Sequence, residues 1–315
     1  MPTTTSCTAS TLTASTPVRP ARAIDPAEAH SFTRGWRFVS VAIVALAVSA
    51  LAGCAMPGMQ QQGMTAGAKA PMAVSTEVKS LLWVGNSFFY YNNSMHGHVG
   101  QLLGDAGLKG LRASSATISG SGINWHDIAA HLKPGSGMAS YSFVGDNEVR
   151  FNSFDKPFDA VMMMDCSQCP VHPKLQPIFY EFAAKHSATA RAHGAAPIFF
   201  MSWAYQDKPE MTQQLAAEYV KAGKANNALV VPAGLAFANA IAKRPELNLY
   251  VADKRHPSLM GTYLAACTVA ASVYKTNPVG LKYTAGLPAE VATFLQQVAW
   301  ETAQNFHARE GRGSL

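Results

Sequence analysis

Charge is scarce in this chain. Only 14% of its 315 residues are Asp, Glu, Lys or Arg, while 48% are hydrophobic. That balance excludes the polar, highly charged class of chains too poor in apolar surface to fold. The formal charge is +6, and the four arginines and two acids before Cys54 account for +2 of it. No Lys/Arg cluster interleaved with aromatics stands anywhere, so no nucleic-acid partner is implied. Cysteine is also scarce, at five. Cys166 and Cys169 form a C-x-x-C, but Cys267 and scattered histidines do not complete a zinc set at any usual spacing. A structural disulfide, unpaired thiols, a redox pair and half a metal site stay open for these cysteines, and no metal or organic cofactor is called for. The apolar run from Phe38 to Ala52 falls short of the about 20 residues of a comfortable membrane span. No internal repeat is present.

What is there begins with a leader. Arg34 and Arg37 precede that apolar run, and small residues end it at Cys54, the order of a secretory signal. The ending "LAGC" resembles the bacterial lipobox. That resemblance implies lipidation of Cys54 after cleavage, and Ala55 behind it implies an outer-membrane anchor facing the periplasm. The expected organisation is therefore a leader and signal over 1–53, a flexible tether over 54–75 without helical or strand period, and one domain over 76–315.

Within that domain short apolar runs alternate with longer amphipathic segments. Strands are predicted at 80–85, 111–118, 158–164, 196–202 and 228–233, bounded by Gly, Pro or Asp as buried parallel strands are. Helices are predicted at 94–107, 123–132, 174–193, 209–225, 235–244, 257–275 and 287–308, and 134–157 is irregular. Five alternations predict an α/β fold, with a roughly five-stranded parallel sheet between two helical layers. Ligands bind such sheets beyond the carboxyl ends of the strands. Ser87, the stretch Ser119–Gly122 and the stretch Asp165–Cys169 all fall there.

A serine needs a base to become a nucleophile, and the base needs an orienting group. "LLWVGNSFFYYNN" presents Ser87 just after the first strand. "YVADKRHPSLMG" offers Asp253 and His256 three residues apart, with Pro257 holding the loop out of helical geometry. Ser early and Asp-x-x-His late resembles the SGNH/GDSL hydrolases, with Gly85-Asn86-Ser87-Phe88 standing for their Gly-Asp-Ser turn. The resemblance spans about residues 79 to 280. It implies a three-layer flavodoxin-like SGNH fold, with Ser87 as nucleophile, His256 as base and Asp253 orienting it.

It also implies an oxyanion hole from the Ser87 amide and a glycine of "ISGSG". Gly120 is favoured over Gly122 because it comes first after the strand. The family's next block ends the hole with an asparagine. Here "MMMDCSQCP" has none, and Gln168 is the only side-chain amide in it. Asp165, acidic, is expected to orient other groups rather than face an oxyanion. The implied activity is hydrolysis of acyl esters, O-acetyl esters above all, on small molecules or polysaccharides. The altered block favours a rival: a non-catalytic lipid-anchored envelope protein holding a glycan or protein partner in the same cleft. His96 and His98, two apart, are not expected to share a metal, and Met162–Met164 reads as strand core. Tyr90, Tyr91, Trp125 and His126 are candidate pocket residues.

Overall fold

A computed structural model describes residues 77–135, 141–145, 148–153 and 155–310. Cys54, the signal segment and the tether lie outside the described residues. Five strands form one parallel sheet: β1 (Ser80–Gly85), β2 (Arg112–Thr117), β5 (Ala160–Met163), β6 (Ala196–Phe200) and β7 (Leu229–Val231). Their order is β2-β1-β5-β6-β7. The chain thus starts near the middle, adds one neighbour on one side, then crosses to the other. Between and after them run α1 (Ser87–Tyr90), α2 (Met95–Asp105), α3 (Ile128–Leu132), α4 (Gln176–Ala192), α5 (Met211–Ala225), α6 (Ala233–Lys243), α7 (Leu259–Val273) and α8 (Ala289–Glu310). Among the described residues no helix is long and apolar enough to cross a membrane.

The period of two in each strand splits the core into halves. Leu81, Trp83, Met162, Ile198, Phe200 and Val231 face a layer built from α2, α6, α7 and α8. Leu82, Val84, Val161, Met163, Phe199 and Val230 face α3, α4 and α5. Both sides are covered for β1, β5, β6 and β7, which is why these four read as unbroken apolar runs, while the edge strand β2 is polar and only partly buried. The methionine run is fully buried here, with Met162 and Met163 in opposite layers.

Element types follow the sequence pattern except where it is shortest or most polar. The predicted helix over 123–132 is a 3-10 turn at Ile123–Trp125 followed by α3, because Asp127 accepts from the Ala130 amide and starts a new helix. The irregular 134–157 contains an antiparallel hairpin, β3 (Tyr141–Gly145) with β4 (Glu148–Phe151). Helix α1, four residues long, is too short for any period to announce.

The ends of β1, β2 and β5 are tied by one buried side chain. Asn86 Nδ2 donates to Ser121 O (3.0 Å) and Asp165 O (3.2 Å), while its Oδ1 accepts from the Phe88 amide (3.2 Å) and caps α1. Two donors and one acceptor on one planar group serve all three segments; a carboxylate would meet both carbonyls with negative charge. Asn86→Asp is therefore expected to cost on the order of 3 kcal/mol, read as a Tm lowered by roughly 10 °C. An unchanged Tm at pH 7 would show that this tie carries no weight.

Candidate active site

Ser87 is the first residue of α1, buried, directly beyond the end of β1. Gly85 must be small there: a Cβ would stand 2.9 Å from the Phe89 ring and 3.2 Å from Met164. The partner loop is closed at its base by a bridge between Tyr250 and Pro257 and by the Val251 amide on His256 O (3.0 Å). Lys254 takes a positive φ of 64° at its tip. From the sheet side, Trp203 Nε1 donates to Arg255 O (2.9 Å) and the Gln206 amide to Lys254 O (2.9 Å). The Arg255 guanidinium lies over the Tyr205 ring at 4.6 Å.

That loop brings His256 Nε2 to 2.7 Å from Ser87 Oγ, across 169 residues of sequence. His256 Nδ1 is bonded to Asp253 Oδ2. Asp253 Oδ1 accepts from the amides of Arg255 and His256, each at 2.9 Å. With a carboxylate at Nδ1, the neutral ring carries its proton there and leaves Nε2 to accept from the serine hydroxyl. Desolvation raises the Asp253 carboxyl, but the bonds from His256 and the two amides together outweigh it and hold the group down to about 2. The imidazole is also fixed by rings: Tyr91 lies parallel to it at 4.3 Å and Phe88 meets it edge-on at 5.4 Å. Phe88 in turn stacks on Trp203, and Trp203 on Phe237.

The loop after β2 carries the second predicted element. Gly120 has φ +69°, a left-handed conformation that suits glycine, and open space around it. Among the described residues neither its amide nor that of Ser87 is bonded to a protein acceptor. Next to it, Ser121 Oγ donates to Gly85 O (3.1 Å) and lies 3.1 Å from His126 Nε2. Since the hydroxyl proton is spent on Gly85, His126 must be the donor to that oxygen. Burial, with His131 nearby, lowers His126 to about 4, so the ring donates as a neutral group. This buried relay braces the glycine loop against the end of β1.

The third strand end departs from the expected amide. Gln168 is exposed at the start of the 3-10 turn Cys169–Val171, and its side chain bonds none of these residues. The buried group there is Asp165. Its Oδ1 accepts from the amides of Ile123 (2.8 Å) and Cys166 (2.7 Å), linking the β5 end to the glycine loop. Gly122 leaves room for this contact: a Cβ there would stand 2.7 Å from Asn124 Oδ1 and 3.1 Å from that oxygen. Cys166 and Cys169 are joined in a disulfide, and Ser167 Oγ bonds Tyr205 OH at 2.7 Å. Cys267 is a free buried thiol, its pKa pushed up by burial. His96 and His98 are engaged separately, His96 with Ser94 Oγ and His98 with Tyr283 OH and Asn92 O.

Burial pushes Asp165 up to about 6 against the pull of its two amide bonds. A carboxyl raised in the folded state stabilises the fold fully below its unfolded value near 4, and that contribution is lost as pH rises through about 6. Asp165→Asn keeps an acceptor for both amides and removes the titration. The stability of the variant relative to wild type is expected to rise by on the order of 3 kcal/mol between pH 4 and pH 7. Parallel stability curves over that range would show that Asp165 does not titrate there.

No family model matches the sequence, and no curated protein matches it. Solved structures do. A DUF4886 family protein from Bacteroides uniformis ATCC 8492 superposes with a TM-score of 0.53 at 17% identity, over 72% of this chain and 95% of that one. A putative SGNH hydrolase from Slackia heliotrinireducens gives 0.46 at 22% identity, over 61% and 97% of the two chains. An acetylxylan esterase from Geobacillus stearothermophilus, a catalytic mutant, gives 0.41 at 17%, over 62% and 94%. The first likeness is one of fold: a parallel α/β sheet with helices on both faces.

Proposed function

We propose that the protein is a serine esterase of the SGNH/GDSL kind, hydrolysing acyl esters through an acyl-enzyme at Ser87. The observation that carries this reading is the unbroken chain of hydrogen bonds from Ser87 Oγ through His256 to Asp253. His256 Nε2 takes the hydroxyl proton as Ser87 Oγ attacks the ester carbonyl. The oxyanion of the tetrahedral intermediate is met by the amides of Ser87 and Gly120. Collapse breaks the bond to the alcohol, which leaves with the proton from His256. Water then attacks the acyl-enzyme, with the same ring as base. Asp253, ionised down to about pH 2, steadies the imidazolium in each half and is not itself protonated.

O-acetyl esters on carbohydrate suit the rim. Trp125 is 60% exposed on the turn after the glycine loop, and Tyr90, its hydroxyl 3.1 Å from Ser119 Oγ, is also exposed. Exposed aromatic faces of this kind stack on sugar rings. A second reading, a non-catalytic protein binding a glycan or protein partner in the cleft, is favoured by the carboxyl that replaces an amide at the β5 end.

Export and a lipid anchor on Cys54 complete the proposal, with the domain held at the outer membrane facing the periplasm. Labelled palmitate should enter the full chain in a bacterial host and be absent from Cys54→Ala; equal labelling would move the anchor elsewhere.

The chemistry is tested with the full chain on p-nitrophenyl esters of rising chain length and on an acetylated oligosaccharide. Ser87→Ala is expected to lose at least about 10⁴-fold in kcat, and Asp253→Asn to lose a comparable factor by freeing the wrong tautomer. Activity should fall as the acyl chain lengthens. Equal rates for wild type and Ser87→Ala would favour the binding protein instead.

A further inference from the structure

Between α1 and α2 the backbone does something unusual. Asn92, Asn93 and Ser94 take φ values of 53°, 63° and 69° in succession. Non-glycine residues enter the left-handed region singly, asparagine most readily, and a run of three persists only where the surroundings impose it.

The surroundings in question are the loop that carries His256. Asn92 Nδ2 donates to Pro257 O (3.0 Å) and to Thr262 Oγ1 (2.8 Å), while Asn92 O accepts from His98 Nε2 (2.7 Å). The Ser94 amide turns back onto Tyr90 O and Tyr91 O, which closes the run against α1. Pro257 directly follows His256, and Asn92 lies five residues after Ser87. One short segment therefore holds the nucleophile at one end and, at the other, grips the peptide next to the base. Among the described residues these are the only hydrogen bonds between the two segments besides Ser87–His256 itself. Trp203 and Gln206 hold the same loop from β6, but they say nothing of its distance to Ser87.

We infer that Asn92 is a positioning residue, setting the reach of His256 to Ser87 through the Pro257 carbonyl. The left-handed run is what turns its amide toward that carbonyl. The inference rests on the esterase reading above.

Two variants separate the amide from the backbone. Asn92→Gly adopts the same φ without strain and lacks the donor. Asn92→Asp keeps shape and conformation but turns a carboxylate on the Pro257 carbonyl. In the full chain, with the folded fraction set by far-UV circular dichroism, both are expected to lower kcat at least tenfold and toward the about 10²-fold that an ångström of misplacement costs. KM should stay within twofold. Amide hydrogen exchange over 251–256 should quicken in both. A merely structural contact would lower Tm and leave kcat per folded molecule alone, so a kcat within twofold of wild type in both variants overturns the inference whatever the Tm. Quicker exchange with unchanged kcat also overturns it, since the loop would then be held without consequence for the reaction. Should wild type hydrolyse no ester beyond the Ser87→Ala background, the esterase reading itself fails and the catalytic role of Asn92 falls with it, a result distinct from an active wild type and active variants.

Discussion

Three parallel strands ending at one rim leave backbone groups that must find partners, and the buried Asn86 amide is where this chain resolves them. Parallel pairing puts the ends of β1, β2 and β5 side by side, so the loops beyond them crowd together. Unpaired carbonyls buried in that crowd would each cost about 1–3 kcal/mol. Asn86 takes two of them and caps α1 with its remaining oxygen. The position of Ser87 is a consequence: it is the residue after the cap, at the start of a helix too short to stand alone. Around this knot the Ser121–His126 relay and the Asp165 carboxyl fasten the glycine loop to its neighbours.

The two aspartates of the rim show how position decides chemistry. Asp253 is exposed and receives His256 and two amides, which hold it at about 2. Asp165 receives two amides as well, yet burial wins and lifts it to about 6. Desolvation and hydrogen bonding act on both, and only their ratio differs. The first group stays an anion beside the imidazole that takes the serine proton in the proposed reaction. The second changes charge in mildly acid solution, beneath the loop whose glycine amide points to the oxyanion in the proposed reaction.

Much of the fold could be read from sequence because four of the five strands of the parallel sheet are buried on both faces and bounded by breakers. β1 matches its predicted limits, and the other four strands lie inside theirs. The hairpin β3–β4 escaped because the side chains of β4 are exposed, with no core to impose a period. Ser87 and the Asp253–His256 pair were legible as short linear patterns. Gln168 was singled out because it is the one amide in its stretch, and chain proximity put it no nearer the other site residues. Asn86 was legible only as a member of the Gly-Asn-Ser turn and Asn92 not at all, since the partners that their side-chain amides donate to are 35 to 170 residues away.

In the proposed reaction, a β5 end that offers a carboxyl rather than a side-chain amide bears on how the site could work. An oxyanion-hole donor is worth about 10²–10³ in rate when removed from a site that has it. That value measures donors already held in place, because a fixed dipole needs no reorganisation as charge develops. A site with two backbone amides can recover part of the loss only by holding them, and the serine and histidine, more rigidly. The described contacts are of that kind. The glycine loop is pinned from β1 by Ser121 and from β5 by Asp165. The disulfide closes the segment that follows Asp165. The histidine loop is held by Trp203 and Gln206 from the segment after β6 and by Asn92 from the segment after α1, with Tyr91 stacked on the ring itself.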